Sequence, residues 1–120
     1  MIDGKLLDIC EDKLNRYVCK LLGISYTWGS EVVFIHKRVN GYQLHIYSGM
    51  ADVADKEVRD KWKEKSTNTL YDINTNYLGI DKSKIICKYR NARFNLGMHS
   101  YVNLTEDELM NIFALCKISN

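Results

Sequence analysis

Residues 24–48, ISYTWGSEVVFIHKRVNGYQLHIYS, decide the fold. The run alternates apolar and polar side chains and is interrupted twice by turn chemistry, at Gly29-Ser30 and at Asn40-Gly41. Asn-Gly between two apolar runs predicts a two-residue type I′ turn, since both central residues must take positive φ and these two tolerate it best. Gly29-Ser30 predicts a type II′ turn by the same reasoning. Three antiparallel strands follow, with Val39 opposite Tyr42, Ile35 opposite Ile46, His36 opposite His45 and Tyr26 opposite Val33. Side chains alternate between the faces of a strand. One face therefore collects Ile24, Tyr26, Trp28, Val33, Ile35, Val39, Tyr42, Leu44 and Ile46 and is expected to meet the core. The other carries Val32, Phe34, His36, Arg38, Gln43, His45 and Tyr47, and any function is expected there.

Before this meander, residues 3–22 repeat apolar side chains at helical spacing (Leu6, Leu7, Cys10, Leu14, Tyr17, Val18, Leu21), with Asp3 placed to cap the start and Gly23 the end. After it, residues 51–77 change to a period of three to four through Val58, Trp62, Ile73 and Tyr77, a second helix that the polar run 66–69, STNT, could divide in two. Residues 84–90 and 93–99 form a second hairpin around Asn91-Ala92, which sets Arg90 opposite Arg93 and sends Lys88, Arg90, Arg93 and His99 to the solvent side, with Cys87 and Tyr89 turned inward. Thr105 and Glu108 make a capping box directly before Leu109, Ile112, Phe113 and Cys116, a final short helix. The order is α-βββ-α-ββ-α. It predicts an α+β domain, residues 1–120, with an antiparallel five-stranded sheet and the helices packed on one face.

With 120 residues, 46% of them hydrophobic, the chain can bury roughly two-thirds of its unfolded surface in one core. A formal net charge of +2 is too small to demand nucleic acid; clustering of Lys and Arg on one face would be the evidence. Cys10, Cys19, Cys87 and Cys116 show neither C-x-x-C nor a zinc spacing and read as reduced thiols. The N-terminus, MIDGKLLDICEDK, carries acids where a signal peptide needs a basic stretch, and the longest run without Asp, Glu, Lys or Arg, residues 39–51, falls far short of the roughly 20 residues of a spanning helix. A cytoplasmic protein without membrane contact is expected.

The run TWGSEVVFIHKRVNGYQLHI and the closing VNLTEDELMNIF are similar to the corresponding parts of YjbR-type chains. The element order resembles the secretion-chaperone-like architecture, shared by small type III secretion chaperones and YjbR-type proteins. That resemblance implies the fold and, for function, protein-partner binding or DNA binding.

Three constellations compete on the outer face. His36 and His45, opposite each other with His99 on the same face, could bind a metal or divide acid and base roles in phosphodiester cleavage, the strand order that would bring His99 to the pair being open. Arg38, Lys88, Arg90 and Arg93 with Phe34 and Tyr47 could stack bases and neutralise phosphates. Val32, Phe34 and Tyr47, which Ile86 could extend, bordered by His36, Arg38 and His45, form an apolar patch of the kind that marks a partner surface or a homodimer seam. No nucleophile elbow or glycine-rich phosphate loop occurs, and no cofactor is expected. The leading reading is a small non-catalytic binding protein of inhibitor, immunity or chaperone type that engages a protein partner through the sheet face and hairpin edges. A nucleic-acid or nucleotide-binding module is second, and a histidine-dependent nuclease or metal site third.

Overall fold

A computed structural model describes residues 2–26, 31–49, 55–92 and 95–117. The helix α1 (Gly4–Leu22) begins as its sequence requires: the Asp3 carboxylate accepts the Leu6 N–H, and Gly23 closes it at φ 71°. Then come β1 (Val33–Arg38), β2 (Gly41–Gly49), α2 (Lys56–Asp72) running into a π-helical turn (Ile73–Tyr77), β3 (Ile86–Ala92), β4 (Asn95–Leu104) and α3 (Glu106–Leu115). The sheet is antiparallel in the order β1-β2-β4-β3. Its inward positions, among them Val33, Ile35, Leu44, Ile46, Met98 and Val102, join Leu14 and Val18 of α1, Leu70 of α2 and Leu109, Ile112 and Phe113 of α3 in one core.

Among the described residues the sheet has four strands where five were expected. Residues 24–26 form no strand, and Trp28 with the Gly29-Ser30 turn lies outside the described residues. The reason is visible along β1. Its outer edge, where a strand over 24–28 would have paired, is occupied by polar side chains of α1. The Asn15 amide oxygen accepts from Val32 N–H and Val33 N–H, both at 2.8 Å, while its Nδ2 donates to the carbonyls of Val33 (2.9 Å) and Glu11 (3.0 Å). Glu11 Oε2 accepts from Ile35 N–H at 2.7 Å. Asn15 is 1% exposed and has all four hydrogen-bonding positions filled, so one side chain substitutes for a stretch of neighbouring strand. Tyr26 is drawn back onto the helix instead, its hydroxyl donating to Asp12 at 2.9 Å under the Arg16 guanidinium.

The first hairpin turns one step earlier than Asn40-Gly41. Arg38 pairs with Gly41 and Lys37 with Tyr42, leaving Val39 and Asn40 in the turn and Val39 100% exposed rather than on the core face. Neither turn residue has positive φ, so the turn is not type I′. Gly41 is needed for a different reason: at φ 148° it lies so close to the end of β4 that a Cβ would sit 2.4 Å from the Leu104 carbonyl oxygen. In the second hairpin Arg90 pairs with Gly97 rather than Arg93, which lies outside the described residues. Both shifts are even in number, so the strands keep the faces expected of them.

The polar run of α2 does not break it. Thr67 and Thr69 turn their hydroxyls onto the Lys63 and Lys65 carbonyls, and Ser66 is buried, which satisfies these groups within a continuous helix. Thr105 and Glu108 form the expected capping box of α3. All four cysteines are free thiols; burial raises the pKa of each, that of Cys116 to about 11, and keeps them protonated. Among the described residues no helix is long and apolar enough to cross a membrane.

Candidate functional site

α1, α2 and α3 all contribute to the core on one side of the sheet, and among the described residues the opposite face is formed by side chains of the strands themselves, with Glu11 of α1 at its edge. The register sends Phe34, His36 and Arg38 of β1 to it, with Gln43, His45 and Tyr47 of β2, His99, Tyr101 and Asn103 of β4, and Ile86 and Lys88 of β3. Arg90 holds the next position of β3 on this face. None of these positions carries an acid.

His36 and His45 do not stand opposite each other. His36 pairs with Gln43 and Phe34 with His45, so the two imidazoles meet on the diagonal, edge to face, with centroids 4.9 Å apart. The centre of the face is a block of four nearly parallel rings on the two middle strands. Tyr47 and His99 are 5.2 Å apart, His45 and Tyr101 5.7 Å, and His45 lies 6.2 Å from His99 and 6.3 Å from Tyr47. Side by side in one plane, two such rings need more than about 6 Å between centroids, so Tyr47 and His99 overlap in an offset stack. Phe34 closes the block edge-on against Tyr47 at 5.5 Å, and the Lys88 ammonium sits 5.5 Å from the Tyr101 centroid. His99, expected in solvent, is 3% exposed inside this block.

An amide network locks the other side. Arg38 Nη2 donates to Gln43 Oε1 at 3.0 Å, and Gln43 Nε2 donates to Asn103 Oδ1 at 2.9 Å. Arginine can only donate, which fixes the orientation of the Gln43 amide. His45 Nε2, 2.8 Å from the same Gln43 oxygen, must therefore carry a proton and donate it. That commitment removes His45 Nε2 as a general base, and His99 is enclosed; of the three imidazoles only His36 is exposed. Among the described residues no group of three or more His, Cys, Asp or Glu side chains is placed to hold a metal ion.

The apolar patch is smaller than expected. Val32, assigned to this face, is 8% exposed and belongs to the core, with its N–H on Asn15. Phe34 and Tyr47 remain half-buried, and Ile86 is exposed. Gln43 stands on the face expected of it, while Tyr101 and Asn103 are additions that carrying the alternation past His99 to residues 101 and 103 would find. A depression of about 300 Å³ lies between Gln43, His45, Lys88, His99 and Tyr101. Glu11 lies at the edge of the face, where burial raises its pKa against the opposing pull of the Ile35 N–H and of His36.

The arrangement is thus a rigid aromatic surface with polar tips and a cationic rim, suited to hold a surface against it. No protein-family model matches the chain, and no curated protein or solved structure is significantly similar to it.

Proposed function

We propose that this chain is a non-catalytic binding protein that docks a protein partner on the face of the sheet opposite its helices. The observation that carries this reading is the four-ring block. Its rings are pre-packed against one another, with His45, Tyr47 and Tyr101 half-exposed around the buried His99, so little side-chain freedom is lost when a partner covers them. Tyr, Phe and Arg at such a surface are the residue types that dominate binding energy at protein interfaces. The absence of acids from the described positions selects a partner with an acidic surface. The resemblance to secretion chaperones points the same way, and an inhibitor, immunity or chaperone-type role fits.

Binding of a single nucleic-acid strand is the second reading, favoured by Arg38 and Lys88 on a face without carboxylates. The ring spacing weighs against base recognition. A base sandwiched between two rings needs them about 7 Å apart, whereas the near-parallel pairs here stand 5.2–6.3 Å apart. That leaves phosphate contacts and stacking on the outward face of a single ring.

Affinity capture on the immobilised chain, with and without nuclease treatment, tests the choice. A bound protein should survive nuclease and be lost with Phe34→Ala or Tyr101→Ala. Capture that vanishes with nuclease, and affinity that falls steeply with salt in proportion to the phosphates neutralised, would transfer the role to nucleic acid.

A further inference from the structure

The two outer edges of the sheet are finished differently. Along β1 the outward peptide groups of Val33 and the N–H of Ile35 are closed by Asn15 and Glu11. Strand β3 ends the sheet on the other side, and among the described residues nothing bonds the outward peptide groups of residues 86–89. We infer that this edge accepts an extended segment of a protein partner as a fifth strand, with acidic side chains on the ring-bearing side and apolar ones on the helix side.

Both halves of that alternation are written into β3. On the ring-bearing side stand exposed Ile86 and Lys88, followed by the position of Arg90, and Lys88 makes no ion pair among the described residues. An acidic residue on an added strand would lie beside Lys88, where cross-strand opposite charges attract. On the helix side Cys87 and Tyr89 are half-buried against the core, with Lys63 Nζ 3.9 Å from the Tyr89 ring centroid. An apolar side chain there extends the core strip under the Lys63 stem.

A second copy fits the same edge poorly. If two β3 strands paired antiparallel with faces matched, the registers that centre the overlap at or beyond Lys88 would set Lys88 across from Lys88 or from Arg90, like charges on adjacent strands. The charge that guards the edge against the chain's own copies therefore selects an acidic strand.

The proposal shares with the preceding reading only that the partner is a protein, and its test separates the two. The probe is a capped peptide of alternating Glu and Val, followed by amide hydrogen exchange and NMR shifts of the full chain. Protection should appear at residues 86–89, and the Lys-for-Glu peptide should give none. N-methylating one alternate set of peptide nitrogens should abolish binding while methylating the other set spares it, because only one set faces β3. Lys88→Glu should exchange the preference between the acidic and basic peptides, and Phe34→Ala, on the face, should leave peptide binding unchanged. Equal binding by both N-methylated peptides, or no protection at residues 86–89 at millimolar peptide, overturns the inference whatever happens at the ring block.

Discussion

Leu44 and His45 are neighbours in β2 and inhabit opposite worlds. Leu44, 1% exposed, is sealed between the sheet and the helices in an aliphatic core. His45 stands among rings that pack against one another, its Nε2 proton tied to Gln43. The difference teaches how one alternating strand divides its labour. Burial against a second layer stabilises the fold on one side, while on the other the rings are ordered mainly by their neighbours and still offer surface.

The widest separation between the two faces should come from paired truncations. Leu44→Ala should cost about 2–5 kcal/mol in urea denaturation, since it removes buried methyl groups and leaves a cavity. Tyr47→Ala on the other face should cost clearly less and should impair partner binding instead. Equal losses would mean that the ring block is a second core. Next in size is Asn15→Ala, which strips the partners from Val32 N–H, Val33 N–H and the Val33 carbonyl; about 1–3 kcal/mol is expected. Loss of hydrogen-exchange protection should begin at β1 and spread from there, and protection lost uniformly would show that Asn15 does not hold that edge in particular.

Thr105→Ala should cost about 1 kcal/mol by opening the cap of α3, with the ring block unaffected. The smallest effect concerns Glu11, whose pKa is raised chiefly by burial. Through the window between its ordinary carboxylate value and that raised one, the folded chain binds more protons than the unfolded chain, so this group's contribution makes stability fall as pH rises. Glu11→Gln can still accept from Ile35 N–H and should flatten that dependence. An unchanged slope of denaturation midpoint against pH would locate the titration elsewhere.

The division into faces was legible in residues 33–47 because it depends only on alternation. A hairpin register wrong by two residues, as at Val39 and Tyr42, or by four, as at Arg90, moves contacts along the strand and leaves the paired positions on their faces, although Val39 passes into the exposed turn and Val32, before the strand, into the core. What turn chemistry could not reveal is why a glycine is there: Gly41 answers to the Leu104 carbonyl, a neighbour sixty-odd residues away in the chain, and not to the turn. The missing fifth strand has the same origin. Residues 24–28 alternate as a strand should, but the edge they would have joined is claimed by Asn15 and Glu11, polar residues on a helix whose local sequence gives no hint of the strand they meet. The burial of His99 was hidden too, since it depends on Tyr47 and Tyr101 closing over it from both sides.

The charge distribution of the sheet face has a kinetic consequence. The chain holds 17 basic and 15 acidic residues, nearly balanced, yet none of the acids falls at a described position of that face. Segregation of this kind gives a nearly neutral molecule an electric dipole that turns Arg38 and Lys88 toward an approaching acidic surface before contact. Encounters would be oriented in advance, association would quicken at low ionic strength, and the chain should adhere to a cation exchanger more firmly than its net charge of +2 suggests.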